Sequence, residues 1–584
     1  MKKIFILFAL LLSTTALVAG PIGEKRAHQI ASEFFAKRST RASSADISLE
    51  WAGSSIGETA TRASLDDALL YIYNRGEKEG FVVVAGDSNI TPIVAYSFNS
   101  TLDINNMADA TKAILDAWCR QVEAARNGAE LIDYITEGTT RAAGELLYDT
   151  ALWNQGTPFN DEAPIIAGQR AVTGCVATAM AIICKYNEWP TKASGTTPEY
   201  SYDKNGTTYT IDANALGRTY DYGNMLMDYN YGYTSTEGKA VAALMKDLGT
   251  AVQMMYHPEG SGAFDAYVPR AFGTYFGYAK DCLLMQRGTY TQSEWNELLK
   301  QNVAEYGPTY YSGQGDAGGH AFIVDGYDAQ NYFHFNFGWG GYGNGYFLTP
   351  TIEFYKDQMS LFYLTPDNEG TSTFRDNLLL TDYYYSEDMQ FKGITSYATE
   401  HRNGEKFYCL LGAVCNYSAM VYTGNVAVMH CDANGEIKEA AAVYSIEELG
   451  LGYLVLLGTV DITLDDIVVG DRLRVYYTRQ DTGEWEWMRS ADRDNAYDEL
   501  VLKASAEQIA ESLVLQYDKS AKQIIFGSPY TLVLNLECDG NSVVSEYGIP
   551  ANQYTALDVT NYAPCTFTFS FRSGADSYTL KVKL

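Results

Sequence analysis

The apolar positions of the chain divide it into a mixed start, a mixed middle and a strand-rich end. Residues 24–36 have the apolar spacing of an amphipathic helix, and residues 111–128 predict a second helix. Between them, short apolar runs predict strands at residues 68–73, 80–85 and 93–96, with Asn74, Arg75 and Gly76 as a turn. This small α+β unit ends in the polar residues 137–144, which we expect to be an exposed linker that proteases can cleave.

The middle of the chain, residues 146–365, is richer in glycine and aromatic residues, which cluster over residues 306–347. Its periodicity predicts three helices followed by two strands, at residues 175–186, 237–248, 293–306, 321–327 and 332–336. Helices that precede a sheet in this way are typical of an α+β domain.

Beyond Pro366 the pattern becomes short alternating strands separated by turns. The clearest runs are residues 425–430, 453–460, 472–478, 530–536 and 566–571. Such spacing is typical of a β-sandwich, and we predict two small sandwiches with a boundary near residues 502–511.

Composition and charge exclude several classes of function. The 584 residues are 46% apolar and 20% charged, so large cores can form, and the formal net charge is −30. Such an acidic chain is not expected to bind nucleic acid or an anionic membrane, because both need many lysines and arginines. Lys2 and Lys3 precede a short apolar run and small residues, which predicts a signal peptide over residues 1–20. We therefore expect export, to the medium, the periplasm or the cell surface, and no transmembrane segment.

The nine cysteines are too sparse for a disulfide scaffold, and their odd number leaves at least one thiol unpaired within a secreted chain. Pairs among the C-terminal cysteines are possible, but the sequence does not assign them. Two turns, residues 203–206 and 432–435, resemble calcium loops without the later carboxylates, so we interpret both as hairpins. We expect no metal and no cofactor.

Cys175 is the candidate for the unpaired, reactive thiol. It begins the helix predicted over residues 175–186, capped by Thr173 or Gly174, and backbone N–H groups in the first helical turn favour a thiolate. Cys184 lies nine positions later on the opposite face of that helix and is expected to be structural. A cysteine seen alone would more often be a buried core residue.

Three further residues give a thiolate at Cys175 a mechanism. His320 follows a glycine-rich loop and opens an apolar strand, Asn336 follows in the next strand, and Gln155 lies upstream in WNQGTPFN. An imidazole can move the proton, an asparagine carbonyl can orient that imidazole, and a glutamine N–H can stabilise an oxyanion. Each of these residues alone could be explained by a structural role. For His334, inside the next strand, a structural role is the only one that we expect. Their combination and order predict a papain-like thiol protease.

Four motifs in this order, WNQGTPFN, TGCVATAMAIICKYNEWP, GGHAFIVDGYD and YFHFNFGWGGYGNGYF, resemble the streptopain family of papain-like cysteine peptidases. Members are secreted bacterial enzymes made as zymogens. The resemblance implies that Cys175 is the nucleophile, His320 the general base and acid, Asn336 the orienting residue and Gln155 the oxyanion donor. Phe337 stands where streptopain has a tryptophan, so its aromatic ring can still shield the Asn–His bond.

The segment LYIYNRGEKEGFVVVAGDSNITPIVAYS resembles the inhibitory propeptide of the same family. In that family the prodomain covers the cleft and displaces the histidine until it is cleaved. We therefore predict an α+β chain with an intramolecular inhibitor and maturation near Arg141. Its expected parts are a signal peptide, an inhibitory propeptide, a papain-like catalytic domain and two β-sandwiches, at residues 1–20, 21–141, 142–365, 366–505 and 506–584.

The predicted function is a secreted cysteine endopeptidase acting on proteins or peptides. Two alternatives stay open from the sequence. One is an amidase on the same scaffold that cuts cell-wall peptides. The other is a surface-binding protein whose papain-like domain is inert.

Overall fold

The computed structural model describes residues 20–38, 46–56, 65–129, 144–316, 318–350, 355–386, 389–398, 400–468, 470–491, 497–503, 513–528, 532–550, 553–562, 565–573 and 576–583. The predicted signal peptide, except Gly20, and the linker bond near Arg141 lie outside these residues. Among the helices of the described part, none is both long and apolar enough to cross a membrane.

The prodomain has two helices and four antiparallel strands: α1 Glu24–Arg38, β1 Ile47–Gly53, β2 Leu70–Arg75, β3 Phe81–Ala85, β4 Ile93–Ser97 and α2 Asp109–Arg126. The predicted turn at Asn74 and Arg75 is wrong, because both residues continue strand β2. The Asn74 side chain donates to the Leu102 carbonyl at 2.7 Å and accepts from the Leu102 N–H at 3.0 Å. This pairing lets a polar residue stay buried within a strand.

The middle region contains four α-helices and thirteen strands within the described residues. The helices are α3 Cys175–Asn187, α4 Ser235–Ala251, α5 Tyr267–Tyr275 and α6 Gln292–Tyr306. The strands are β5 Leu146–Leu147, β6 Ile165–Ile166, β7 Gln169–Arg170, β8 Thr196–Thr197, β9 Tyr200–Lys204, β10 Thr207–Ile211, β11 Asn214–Ala215, β12 Leu283–Gln286, β13 Thr309–Gly315, β14 Gly318–Tyr327, β15 Phe333–Asn336, β16 Gly345–Phe347 and β17 Lys356–Phe362. Strands β9 and β10 form a hairpin over residues 203–206, as predicted.

One large sheet joins the prodomain to the middle region. Its order is β1-β2-β3-β4-β16-β15-β14-β13-β17-β12, and β5 pairs with β14. The junction is the antiparallel pair β4–β16, where Tyr96 lies opposite Tyr346 and Ala95 opposite Phe347. The small α+β unit predicted from the sequence therefore shares its sheet with the middle region.

The two faces of β14 belong to two different cores, because side chains alternate along a strand. Ala321 and Ile323 pack in the core that surrounds helix α3. Phe322 and Val324 pack in the core that contains α2 and the prodomain strands. The face on which a residue of this strand lies therefore decides whether it approaches α3 or the prodomain.

The C-terminal region forms two sandwiches, as predicted. The first has β18 Leu378–Thr381, β19 Tyr383–Ser386, β20 Met389–Phe391, β21 Ile394–Ser396, β22 Lys406–Asn416, β23 Tyr422–Cys431, β24 Ile437–Leu449, β25 Leu454–Thr463, β26 Arg472–Thr478, β27 Trp485–Trp487 and β28 Glu499–Val501. The second has β29 Val514–Asp518, β30 Gln523–Ser528, β31 Leu532–Cys538, β32 Asn541–Ile549, β33 Gln553–Asp558, β34 Thr566–Ser573 and β35 Asp576–Lys583. Each encloses its own core, and a disulfide joins Cys538 to Cys565.

Candidate active site

Helix α3 begins at Cys175, as the sequence predicted, and Gly174 is its N-cap residue. Gly174 has φ +86°, and a Cβ there would lie 2.6 Å from the Met254 Sδ atom. Only glycine tolerates both the left-handed backbone and this close approach. The backbone therefore turns sharply at Gly174, and Cys175 takes the first helical position.

The thiol of Cys175 receives opposing influences in this structure. The backbone N–H groups of Ala321, Val176 and Cys175 itself lower its pKa. Burial has the larger effect and raises the pKa above its ordinary value, and the nearby Asp265 carboxylate adds to that rise. The helix start alone therefore does not produce the thiolate that the sequence pattern predicted. An additional positive charge, such as an imidazolium, would be needed to stabilise it.

His320 lies on the prodomain face of the sheet. It has the same strand parity as Phe322 and Val324, whose side chains pack in the core that contains α2. Burial lowers its pKa, while Asp109 at the start of α2 raises it to a smaller extent. Among the described residues, its Nε2 atom is buried without a hydrogen-bond partner. The imidazole thus lies on the α2 side of the sheet, and no described hydrogen bond joins it to Cys175.

Helix α2 reaches this position because a glycine of the segment before His320 gives it room. A Cβ on Gly315 would lie 2.7 Å from the Ala113 Cβ on α2. Arg120, further along α2, forms an ion pair with Asp316. The glycine-rich segment that the sequence suggested as a loop is largely part of β13 and β14, and it accepts the prodomain helix here.

Asn336 is fully buried at the end of β15, opposite Ile323 of β14. Its Nδ2 donates to the Thr150 Oγ1 and to the Ala151 carbonyl, both at 3.0 Å. Its Oδ1 accepts the Gly338 N–H at 3.2 Å. Phe337 packs behind it on Phe322 and Phe347. The amide is held firmly next to the strand that carries His320.

A backbone hydrogen bond holds Gln155 near the start of helix α3. Its carbonyl accepts the N–H of Thr173, two residues before Cys175, at 3.1 Å. Its side chain is half-buried and does not line the cavity described next. Cys184 is fully buried, and burial raises its pKa to about 12, as expected for a structural thiol.

Cys175 and His320 line one cavity of about 1050 Å³. Its walls come from α3, from the loop before α5, from β13, β14 and β17, and from the first β-sandwich. The sandwich contributes Thr381, Asp382, Tyr384, Cys415, Tyr417, Gly452, Leu454 and Ala491. No pattern in the sequence indicates that this distant region lines a cavity with Cys175.

Sequence reasoning also missed Asp265, whose carboxylate accepts the hydroxyl of Tyr310 beside Cys175. Burial raises the pKa of Asp265. The signal that could have found it is a lone carboxylate among apolar residues in GAFDAYV. A buried acid needs a partner, so such a position indicates a local polar network.

Comparison with known proteins identifies the family. Residues 153–347 match the peptidase C10 family. The chain is 31% identical over 306 residues to streptopain of Streptococcus pyogenes serotype M1. The aligned region covers 48% of this chain and 74% of streptopain. This chain belongs to the peptidase C10 family. The matched residues contain all four motifs of the candidate site.

Residues 19–122 of this C10 member match the Spi protease inhibitor family. This supports an intramolecular inhibitor role for the segment that carries α2. Thiol protease/hemagglutinin PrtT of Porphyromonas gingivalis is 38% identical over 463 residues, 74% of this chain and 50% of PrtT. The chain thus spans about half the length of that curated relative.

Two solved structures of Prevotella intermedia proteins are also similar to parts of the chain. The active interpain A cysteine protease is 31% identical with a TM-score of 0.34, and covers 40% of this chain and 96% of its own. A prointerpain A fragment is 24% identical with a TM-score of 0.44, and covers 56% of this chain and 99% of its own.

Proposed function

We propose that this C10 member is a secreted cysteine endopeptidase made as an inactive zymogen. The observation that carries the proposal is the shared cavity of Cys175 and His320, with the histidine on the α2 side of the sheet, where burial lowers its pKa and Asp109 raises it to a smaller extent. A nucleophile and a base in one cleft supply the two groups that thiol catalysis requires. The position of His320 on the α2 side of the sheet explains why the two groups are not yet paired.

The proposed mechanism begins when His320 leaves the α2 face and takes the proton of the Cys175 thiol, which gives a thiolate–imidazolium pair. The Cys175 thiolate attacks the peptide carbonyl carbon, and Gln155 with the Cys175 backbone N–H stabilises the oxyanion. His320 gives its proton to the leaving amine, and an acyl-enzyme remains. Water activated by His320 then hydrolyses the thioester. Asn336 then accepts an N–H of the imidazole at its Oδ1 atom and holds the ring in the productive tautomer.

The proposed division of the chain follows the predicted boundaries. Residues 1–20 direct export, residues 21–141 inhibit, and residues 142–365 carry the chemistry. Two sandwiches follow at residues 366–505 and 506–584. The protein and its substrates meet outside the cytoplasm, and cleavage of the linker near Arg141 releases the prodomain. N-terminal sequencing of the processed form tests this, and a mature start inside residues 151–365 would contradict it.

The test of the activity compares two cysteines of the same helix. Cys175→Ala is expected to lower casein hydrolysis at least about 1000-fold and to stop self-processing, because the nucleophile is lost. The matched variant Cys184→Ala removes a buried thiol of α3 but no reacting group, so it should keep its activity. An epoxide inhibitor selective for thiol proteases should label Cys175 only.

Three outcomes would overturn the proposal. Full activity of the Cys175→Ala variant would exclude this nucleophile. Cleavage of purified peptidoglycan without any cleavage of casein would instead support an amidase, and absence of both activities together with no labelling would support an inert binding protein.

A further inference from the structure

Asn336 is connected to a buried polar chain that the proposed chemistry does not use. Thr150 Oγ1, which accepts from Asn336 Nδ2, donates to the Asp325 Oδ2 at 2.5 Å. The other carboxylate oxygen of Asp325 lies 2.5 Å from the His334 Nδ1. Thr150, Asp325 and His334 are all at least nine-tenths buried. The four side chains therefore form one continuous network in the interior.

The neighbours of Asn336 define which end of its amide is nitrogen. The Ala151 carbonyl can only accept a hydrogen bond, and the Gly338 N–H can only donate one. Nδ2 must therefore face Ala151, and Oδ1 must face Gly338. Because Thr150 accepts from the same Nδ2, its single proton is left for Asp325, which as a carboxylate only accepts. Each member thus determines the direction of the next bond.

A β-bulge places Asp325 in this network. The pairing of β14 with β15 shifts register between Val324 and Gly326, so Asp325 is the extra residue. Bulges re-aim a side chain and are frequent next to active sites. The Asp325 carbonyl meanwhile accepts the Tyr148 N–H at 2.9 Å, which ties the strand segment before Thr150 to β14.

We propose that Thr150, Asp325 and His334 are positioning residues that hold the Asn336 amide with Oδ1 ready to accept the His320 N–H. The proposal rests on the proposed function, since it acts through Asn336 and His320. Thr150 follows strand β5, and β5 pairs with β14. Both strands come after the predicted linker in the sequence. Cleavage at that linker leaves the network within the mature enzyme.

The experiment expresses the full chain, lets it mature, and removes one hydroxyl by substitution. Thr150→Val keeps the shape of the side chain but can neither accept from Asn336 nor donate to Asp325. We expect kcat to fall about tenfold to a hundredfold, since small misplacements of catalytic groups have effects of this size, with KM unchanged. The alkaline limb of the pH–kcat/KM profile should move to lower pH, because a poorly oriented Asn336 stabilises the imidazolium less. Thr150→Ser keeps the hydroxyl and should restore both properties.

A double-variant comparison separates positioning from general destabilisation. In an Asn336→Ala background, Thr150→Val should cause no further loss of kcat, because the residue that it positions is already gone. If Thr150→Val does not fold, Asp325→Asn takes its place and should change kcat and the alkaline limb in the same direction. The inference is overturned if the folded variant keeps kcat and the alkaline limb of the parent, or if the two losses simply multiply. Failure of the proposed function is distinct, since the parent itself would then be inactive.

Discussion

The prodomain and the first β-sandwich both cover the middle region, but they attach to it in different ways. The prodomain continues the central sheet and shares one hydrophobic core with it. Trp118 of α2 is completely buried there and donates its indole N–H to the Leu348 carbonyl at 3.0 Å. Removing the prodomain must therefore expose apolar surface of the catalytic region.

The first sandwich keeps a core of its own and touches the middle region through individual polar contacts and through Tyr417, which packs against the core around α3. Asn377 donates to the Leu284 carbonyl of edge strand β12 at 2.9 Å. Arg489 donates to the Thr289 carbonyl at 3.2 Å and its guanidinium lies over the Tyr290 ring. A shared core couples two segments in folding, whereas a polar contact between separate cores leaves each to fold by itself. The prodomain is thus more tightly integrated with the middle region than the first sandwich is.

The largest change in stability is expected from a substitution in the shared core. Trp118→Ala in the Cys175→Ala zymogen should lower the free energy of unfolding of the prodomain and catalytic region by about 3–5 kcal/mol, because a large buried ring and its hydrogen bond are lost. Urea unfolding followed by intrinsic fluorescence and circular dichroism measures it. Trp118→Phe, which retains a ring, is the control and should lose less. Two separate transitions for these regions in the parent would contradict a common core.

A smaller effect is expected at the sandwich. Asn377→Ala removes the bond to the Leu284 carbonyl and should weaken docking of this domain by about 1 kcal/mol. Hydrogen exchange should become faster in β12, while the unfolding midpoint of the prodomain and catalytic region stays unchanged. A midpoint shift as large as that of Trp118→Ala would show that the sandwich is coupled as tightly as the prodomain.

The smallest expected effect is a pH dependence of the prodomain contact. Burial lowers the pKa of His320 in the zymogen, so between that value and about 6.5 the unfolded chain binds more protons than the folded one. Stability should therefore fall as the pH drops below about 6.5 and should not respond to this group at higher pH. The measurement compares unfolding free energies at pH 8 and pH 5.

The control for this pH effect is the pair of Cys175→Ala proteins with and without His320→Gln. The other ionisable groups, including His401 whose pKa burial also lowers, are common to both proteins and cancel. The protein that keeps His320 should lose more stability on acidification. An equal loss in both would show that His320 does not contribute.

Local patterns predicted much of this molecule. Helix α3 starts at Cys175 and β14 carries His320 because capping, helix propensity and apolar runs act over a few residues. The common sheet was not predictable, because pairing of β4 with β16 joins segments that are distant in sequence. The orientation of His320 depends on the same long-range packing against α2. Asp325 had a visible signal, an acid within an apolar strand, but its partner Thr150 comes from another part of the chain.

The cavity beside Cys175 is bounded on one side by residues of the first sandwich, among them Tyr384 and Leu454. The wall of this cavity is therefore built by two modules that keep separate cores. Insertions or exchanges in the turn before β25 can change that wall without disturbing the sheet that holds His320 and Asn336.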